Sequence, residues 1–202
     1  MALAGAGEEV PSPPLITRRR LLGLMIPALN LPLFGWNLYS LAVKIQGGMN
    51  LNSTLFLEEL LVTFSSLFLA VFLPRFFPVY KSVYRLEPGG LSLSRFMKGR
   101  KALPYKEIER ADVYIRLEEE ISADAKNYAM DQSAALRKSG FRFKDYTNTE
   151  STIMNLFVGK DIYMISPSKP RSLLKELRRR NGRFTAHIVE LNRRGKNVQD
   201  LA

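Results

Sequence analysis

The sequence predicts an α+β chain: an N-terminal transmembrane helical hairpin, then one domain of antiparallel strands closed by a C-terminal helix. Three observations predict it. Two long apolar runs lie between Leu21 and Tyr80, short alternating stretches separated by Gly and Pro turns follow from Ser82, and a helix-period leucine stripe comes after Ser166-Pro167.

The first run decides the class. Arg18, Arg19 and Arg20 precede an uncharged stretch from Leu21 to Val43. At about 1.5 Å per residue it makes a helix of roughly 35 Å, against about 30 Å of hydrocarbon. A secretion signal would share the basic flank, with Ser40-Leu41-Ala42 as its cleavage site, but its apolar core spans only about 7 to 15 residues. Pro27, Asn30, Pro32 and Asn37 interrupt the run and predict a kinked helix whose freed backbone groups need a neighbouring helix. That neighbour is Leu55 to Lys81, uncharged from Leu60 to Leu73. It crosses if Glu58 and Glu59 rest at one interface and Arg75 snorkels to the other beside Phe76, Phe77 and Tyr80; a buried or interfacial helix is the alternative. Arg18, Arg19 and Arg20 before the hairpin and Arg75, Lys81 and Arg85 after it, with only Lys44 between, predict a multi-pass protein of the cell membrane with both termini cytoplasmic.

Composition narrows the remainder. Of 202 residues, 46% hydrophobic, about 60 go into the hairpin and its flank, which leaves roughly 120 for one domain. Cysteine is absent, so disulfides, thiolate metal sites and thiol nucleophiles are excluded. The single histidine, His187, has no partners for a metal cluster and reads as a surface or packing residue. There is no phosphate-cradling glycine motif and no nucleophile elbow, so the sequence implies no enzyme and no cofactor. Residues 1–17, small and Pro-rich with Glu8 and Glu9, read as a disordered tail. Asn52-Ser53-Thr54 is formally a glycosylation sequon and reads as chance.

Past the hairpin, Val83, Tyr84 and Leu86 suit a strand, Glu87-Pro88-Gly89-Gly90 a tight turn, and Leu91 to Phe96 a second strand. Met97 to Lys101 read as a basic tip before the chain re-enters at Ala102-Leu103. Pro104-Tyr105-Lys106-Glu107-Ile108 reads as one turn that plugs Ile108 into the core ahead of a strand at Ala111 to Arg116.

Tyr84-Arg85-Leu86 with Gly90-Leu91, the Leu103 to Ile108 turn, and Ile162 to Ser168 before a helix resemble the bacterial pleckstrin-homology-like family of membrane-anchored domains. The resemblance covers about Tyr80 to Arg180 and implies a curved antiparallel sheet capped by one helix. Eukaryotic relatives of that fold hold phosphoinositide headgroups with basic residues flanking the first hairpin loop. Here that loop is Glu87-Pro88-Gly89-Gly90, tight and acidic, so only a generic anionic contact through Lys98, Arg100 and Lys101 stays open.

The predicted domain, residues 81–181, carries a helical insertion near 118–140. Ile121, Ala125, Tyr128, Ala129 and Leu136 share a face, and Gly140 would cap it. This helix either packs on the sheet or docks a partner. Glu118, Glu119 and Glu120 read as an acidic helix start. Phe141, Phe143 and Tyr146 begin the return strands, and Ile153 to Val158 with Asp161 to Ile165 form a hairpin about Gly159-Lys160. Ser168 would cap the last helix, Pro170 would open it, and Leu173, Leu174 and Leu177 would be its buried stripe.

Charge concentrates at the end. The chain has a net charge of +11, and Lys169 to Ala202 holds ten basic against three acidic residues. Residues 182–202 form a basic extension in which Phe184, Ile188 and Leu191 predict a short amphipathic helix. Arg178, Arg179, Arg180, Arg193 and Arg194, together with Arg18, Arg19, Arg20 and Arg75, are the candidate membrane-surface residues. Beside an anionic leaflet each exposed cation is worth on the order of 1 kcal/mol; a solvated charged face is the alternative. Nucleic acid is not expected, because no aromatic-interleaved basic motif accompanies the charge. The expected function is a non-enzymatic, membrane-anchored module, a scaffold or assembly factor for an unidentified protein partner, or alternatively a sensor of anionic lipids. The pair Ser66 and Ala70 leaves homo-oligomerisation open.

Overall fold

The structure is a computed structural model that describes residues 7–73, 79–118 and 122–201. It divides into a helical unit, Leu15–Tyr80, and an α+β unit formed by Met1–Pro14 with Lys81–Ala202.

In the helical unit, α1 (Thr17–Gln46) and α2 (Thr54–Val71) are both long and apolar enough to cross a membrane. Of the most apolar stretch of α1 6% is buried, and of α2 17%, the reverse of a core helix. Leu24, Trp36, Leu61 and Phe64 all face outward. On α2 what is buried is small or polar, Thr63, Ser66 and Ala70 on one face, while α1 buries Gly23 and Leu41, and the amide of Asn37 donates to Ser66 Oγ at 3.4 Å. Pro27 has no N–H, so the Gly23 carbonyl four residues back loses its helical donor. Tyr80 Oη donates to that carbonyl at 3.3 Å. The approach is tight, since a Cβ on Gly23 would lie 2.7 Å from the Val79 carbonyl oxygen. Lys44 pairs with Glu59 near the connecting loop. Ser53, the central residue of the sequon, accepts the Phe56 N–H at 3.2 Å and caps α2.

The α+β unit opens with β1 (Glu8–Val10), then β2 (Ser82–Glu87), β3 (Gly90–Arg95) and β4 (Gly99–Pro104) in one antiparallel sheet of order β1-β2-β3-β4. A 3-10 turn at Tyr105–Glu107 leads to β5 (Arg110–Arg116), α3 (Ala123–Lys138), β6 (Arg142–Asp145), β7 (Thr152–Val158), β8 (Asp161–Ile165), α4 (Pro170–Arg180), β9 (Thr185–Asn192) and β10 (Gly195–Leu201). These strands build a six-stranded sheet of order β10-β9-β5-β7-β8-β6. Tyr84, Leu91, Leu93 and Leu103 of the first sheet, Val113, Met154, Leu156 and Ile188 of the second, and Leu173, Leu174 and Leu177 of α4 share one core.

The architecture is therefore mixed α+β with two sheets, where a single antiparallel sheet was expected. The second sheet is mixed because α4 carries the chain from β8 back to β9, which lies parallel to β5, and β6 lies parallel to β8. No closed barrel forms among the described residues.

Four local expectations fail for identifiable reasons. The tail 1–17, expected to be disordered, supplies β1, which lends the exposed edge of β2 a partner through Glu8↔Leu86 and Val10↔Tyr84. The basic extension 182–202, expected to be a helix, is the β9–β10 hairpin. Phe184, Ile188 and Leu191 fit a 3.6-residue period, but Phe184, Ala186 and Ile188 also fit period 2 and fill the core beside β5. Ser168 does not cap α4; its N–H donates to the Pro11 carbonyl at 2.8 Å, and Pro170 opens the helix without a side-chain cap. The expected basic tip 97–101 shrinks to a turn, because Gly99 already begins β4. Gly140 ends α3 as expected: at φ 83° it places the Phe141 N–H 3.1 Å from the Leu136 carbonyl and its own N–H 3.0 Å from that of Arg137.

Candidate functional site

Within the α+β unit, the arginines expected to meet a membrane do not form one surface. Arg18, Arg19 and Arg20 occupy the first turn of α1, and Arg75 lies outside the described residues. Arg178, Arg179 and Arg180 end α4, whereas Arg193 and Arg194 form the β9–β10 turn. β9 starts five residues after α4 ends and runs eight residues to Asn192, a rise of about 26 Å. The two groups thus sit at opposite ends of a strand.

Their chemistry differs too. Arg180 is tied into the fold: it donates to the Glu87 carbonyl at 3.1 Å and to Tyr105 Oη at 2.9 Å, stacks over the Tyr105 ring at 5.0 Å, and pairs with Glu176 at 2.7 Å. Those contacts hold the end of α4 at the β2–β3 hairpin. Arg179 shares Glu176, Arg193 pairs with Glu118 at 3.2 Å, and Arg178 and Arg194 are exposed. The three α4 arginines also suit the negative end of the helix dipole. Those of α1 sit at its positive end, where helix stability does not explain them.

A groove of about 490 Å³ lies between α3 and the outer face of the six-stranded sheet, lined by Tyr114, Arg116, Met130, Arg137, Ile153, Asn155, Met164 and Leu191 among others. The strands build it by alternation: Ala111 and Val113 enter the core, which leaves Asp112, Tyr114 and Arg116 on the outside. Tyr128 of α3 packs against Val189 and Leu191, and Lys196 Nζ stands 3.5 Å above the Tyr128 ring. Burial, aided by the Asp112 carboxylate and Tyr128, pushes the Tyr114 hydroxyl up to about 12. Arg110 holds Asp112 through two hydrogen bonds of 2.7 and 2.6 Å. Asn155 Oδ1 is buried at the groove without a hydrogen-bond donor among the described residues. A strand at Ala111 to Arg116 and a helix packed on the sheet were both readable in the sequence; that the groove forms between α3 and β5 was not.

A second polar centre is structural. Asn148 is fully buried, and its amide accepts from the Ser82 N–H at 2.7 Å and donates to the Ser82 carbonyl at 2.9 Å. The Asn148 N–H donates to Ser166 Oγ at 2.7 Å, the Ser166 N–H to Tyr84 Oη at 3.1 Å, and Tyr84 Oη to the Tyr146 carbonyl at 2.6 Å. These bonds fasten the loop between β6 and β7 to the start of β2.

Beside this clasp lies the β3–β4 turn. Arg95 Nη1 and Lys98 Nζ both donate to the Asp145 carbonyl, at 3.0 and 3.1 Å, and both lie over the Tyr146 ring. Burial, then the charge of Arg95, lowers the Lys98 amine to about 8. Met97 has φ 64°, a left-handed conformation that costs a residue with a Cβ about 1 to 2 kcal/mol. Glycine would relieve that cost, yet the position holds a large apolar side chain.

His187 Nδ1 lies 2.5 Å from Asp200 Oδ1 on β10. Among the described residues no three His, Asp or Glu side chains converge as a metal site. No family model, curated protein or solved structure matches the chain.

Proposed function

We propose that the chain is a non-enzymatic, membrane-anchored interaction module: a helical hairpin crosses the cell membrane twice and holds a pleckstrin-homology-like unit at the cytoplasmic face as a scaffold or assembly factor for a protein partner. One observation carries the topology. β1 precedes the helix pair, β2 follows it, and the two are hydrogen-bonded neighbours in one sheet. Strands that pair must share a side of the bilayer, so the chain between them crosses an even number of times. The outward apolar surface of α1 and α2 supports a lipid environment, and the misplaced arginines at the start of α1 are accounted for by the preference of basic residues for the cytoplasmic side.

The pleckstrin-homology-like reading is supported by the order of elements from β2 to α4, a three-stranded meander, the Tyr105–Glu107 turn, the β7–β8 hairpin and a helix that plugs the core. β1 before this set and β9–β10 after it are additions. The non-enzymatic reading is supported by the polar centre, where Tyr84, Asn148 and Ser166 bond mainly to backbone groups. The groove beneath α3 is the surface offered to a partner, with Met130 exposed at its rim.

Two experiments test this reading. Reporters placed after Ala202 and at Gly48 should lie on opposite sides of the membrane, the former cytoplasmic; a shared side refutes the hairpin. A photo-crosslinking residue at Met130 in the full chain, irradiated in native membranes, should yield one protein adduct of defined mass. Adducts to lipid alone would replace the scaffold with a lipid sensor.

A further inference from the structure

We infer that the β3–β4 turn, Phe96-Met97-Lys98, is a bilayer anchor that inserts its apolar tip at an anionic membrane surface. The inference rests on the helix pair spanning that membrane.

Register supplies the first argument. β1 runs toward, and β2 runs from, the sheet end where Val10 faces Tyr84 and Ser82 faces Arg95. Both connections to the helix pair leave from this end, through Pro11 and through Lys81. The β3–β4 turn belongs to it too, because Arg95 pairs with both Ser82 and Gly99. The β2–β3 hairpin, Glu87 to Gly90, lies at the other end of a six-residue strand, about 20 Å away. The α4 arginines are held at that far end by the bonds of Arg180 to Glu87 and Tyr105.

Composition supplies the second argument. Phe96 is 67% exposed at the tip, the highest among the described large apolar side chains of the α+β unit. Met97 keeps an apolar side chain at a left-handed position. Beside them lie the amines of Lys98 and Lys144, with the exposed Lys81 one residue before Ser82 and the Arg95 guanidinium buried behind, while the Asp145 carboxylate is engaged by the Thr147 N–H and hydroxyl at 2.7 and 2.8 Å. Aromatic and apolar tips above a cationic collar are the arrangement that settles at a headgroup layer, with the ring at the acyl boundary and the amines at phosphate. Arg100 does not join the collar, since it turns back to Ser92 and Glu87.

The native chain has no cysteine, so a single introduced thiol gives an unambiguous label. The full chain carrying Phe96→Cys, Gly89→Cys or Leu38→Cys is labelled with an environment-sensitive fluorophore. It is reconstituted into vesicles of phosphatidylcholine and phosphatidylserine that contain a quencher-bearing lipid. Leu38, on α1, reports insertion of the helix pair. Quenching at positions 38 and 96, with position 89 unquenched, is the expected result. In the Phe96→Cys background Lys98→Gln should reduce the inserted-to-free ratio about fivefold, the equivalent of about 1 kcal/mol for one cation at the surface, and omission of phosphatidylserine should also reduce it. Quenching at 38 without quenching at 96 overturns the anchor and leaves the hairpin standing. Loss of quenching at 38 overturns both.

Discussion

Asn148→Ala should destabilise the α+β unit more than any other single polar truncation in it, by roughly 3 to 5 kcal/mol. The amide of Asn148 satisfies both backbone groups of Ser82, and Ser82 and Asn148 are fully buried. Truncation removes two hydrogen bonds and leaves a buried N–H and a buried carbonyl, each costing about 1 to 3 kcal/mol. A domain of this size has about 5 to 15 kcal/mol in total. Thermal unfolding of the detergent-solubilised chain should therefore begin at least about 10 °C lower. Thr149→Ala, one residue on, should stay within about 0.5 kcal/mol. A loss below about 1 kcal/mol for Asn148→Ala would mean the clasp is not closed in solution.

The second large effect separates the two faces of α4. Leu174→Ala should cost about 2 to 5 kcal/mol, because the side chain is almost fully buried among residues of both sheets. Arg180→Gln should cost about 1 to 3 kcal/mol through its lost bonds to the Glu87 carbonyl and Tyr105 and its stack on that ring. Arg178→Gln, with an exposed side chain, should change stability by less than about 0.5 kcal/mol. Denaturant melts of the three variants give the order directly. Equal and negligible effects at Arg178 and Arg180 would return both to a common solvated face and remove the reason for placing the end of α4 at the β2–β3 hairpin.

The parts legible in sequence were those decided by local periodicity. The uncharged run after Arg20, the Glu87 to Gly90 turn, the β7–β8 hairpin and the leucine stripe of α4 each lie where spacing put them. Even the need of the kinked first helix for outside donors was readable from Pro27, although nothing local named Tyr80 as the donor. What was not legible depends on partners distant in sequence. Glu8-Glu9-Val10 has no strand signal of its own and becomes β1 through the edge of β2. Thr185 to Asn192 fits two periods, and only the vacancy beside β5 selects the strand. The candidate sites suffered most, because counting arginines treats charge as uniform. Arg178 and Arg180 are two residues apart, yet one faces solvent and the other is locked onto Tyr105. The turn at Phe96 carries less charge than the tail, and its significance rests on which end of the sheet it shares with Pro11 and Lys81.

Pairing β1 with β2 also imposes an order on biosynthesis. Glu8 leaves the ribosome long before Leu86, its partner, and at roughly 5 to 20 residues per second the delay is several seconds. During that interval the nascent N-terminus has no edge to join. The Gly23 carbonyl likewise awaits Tyr80. On the proposed topology the first helix enters the bilayer before its carbonyl partner exists, and the residues ahead of it stay on the ribosome's side until the second helix has followed. A nascent chain arrested before Tyr80 would hold neither contact, so the closing of the hairpin and the founding of the first sheet fall within the same short stretch of translation.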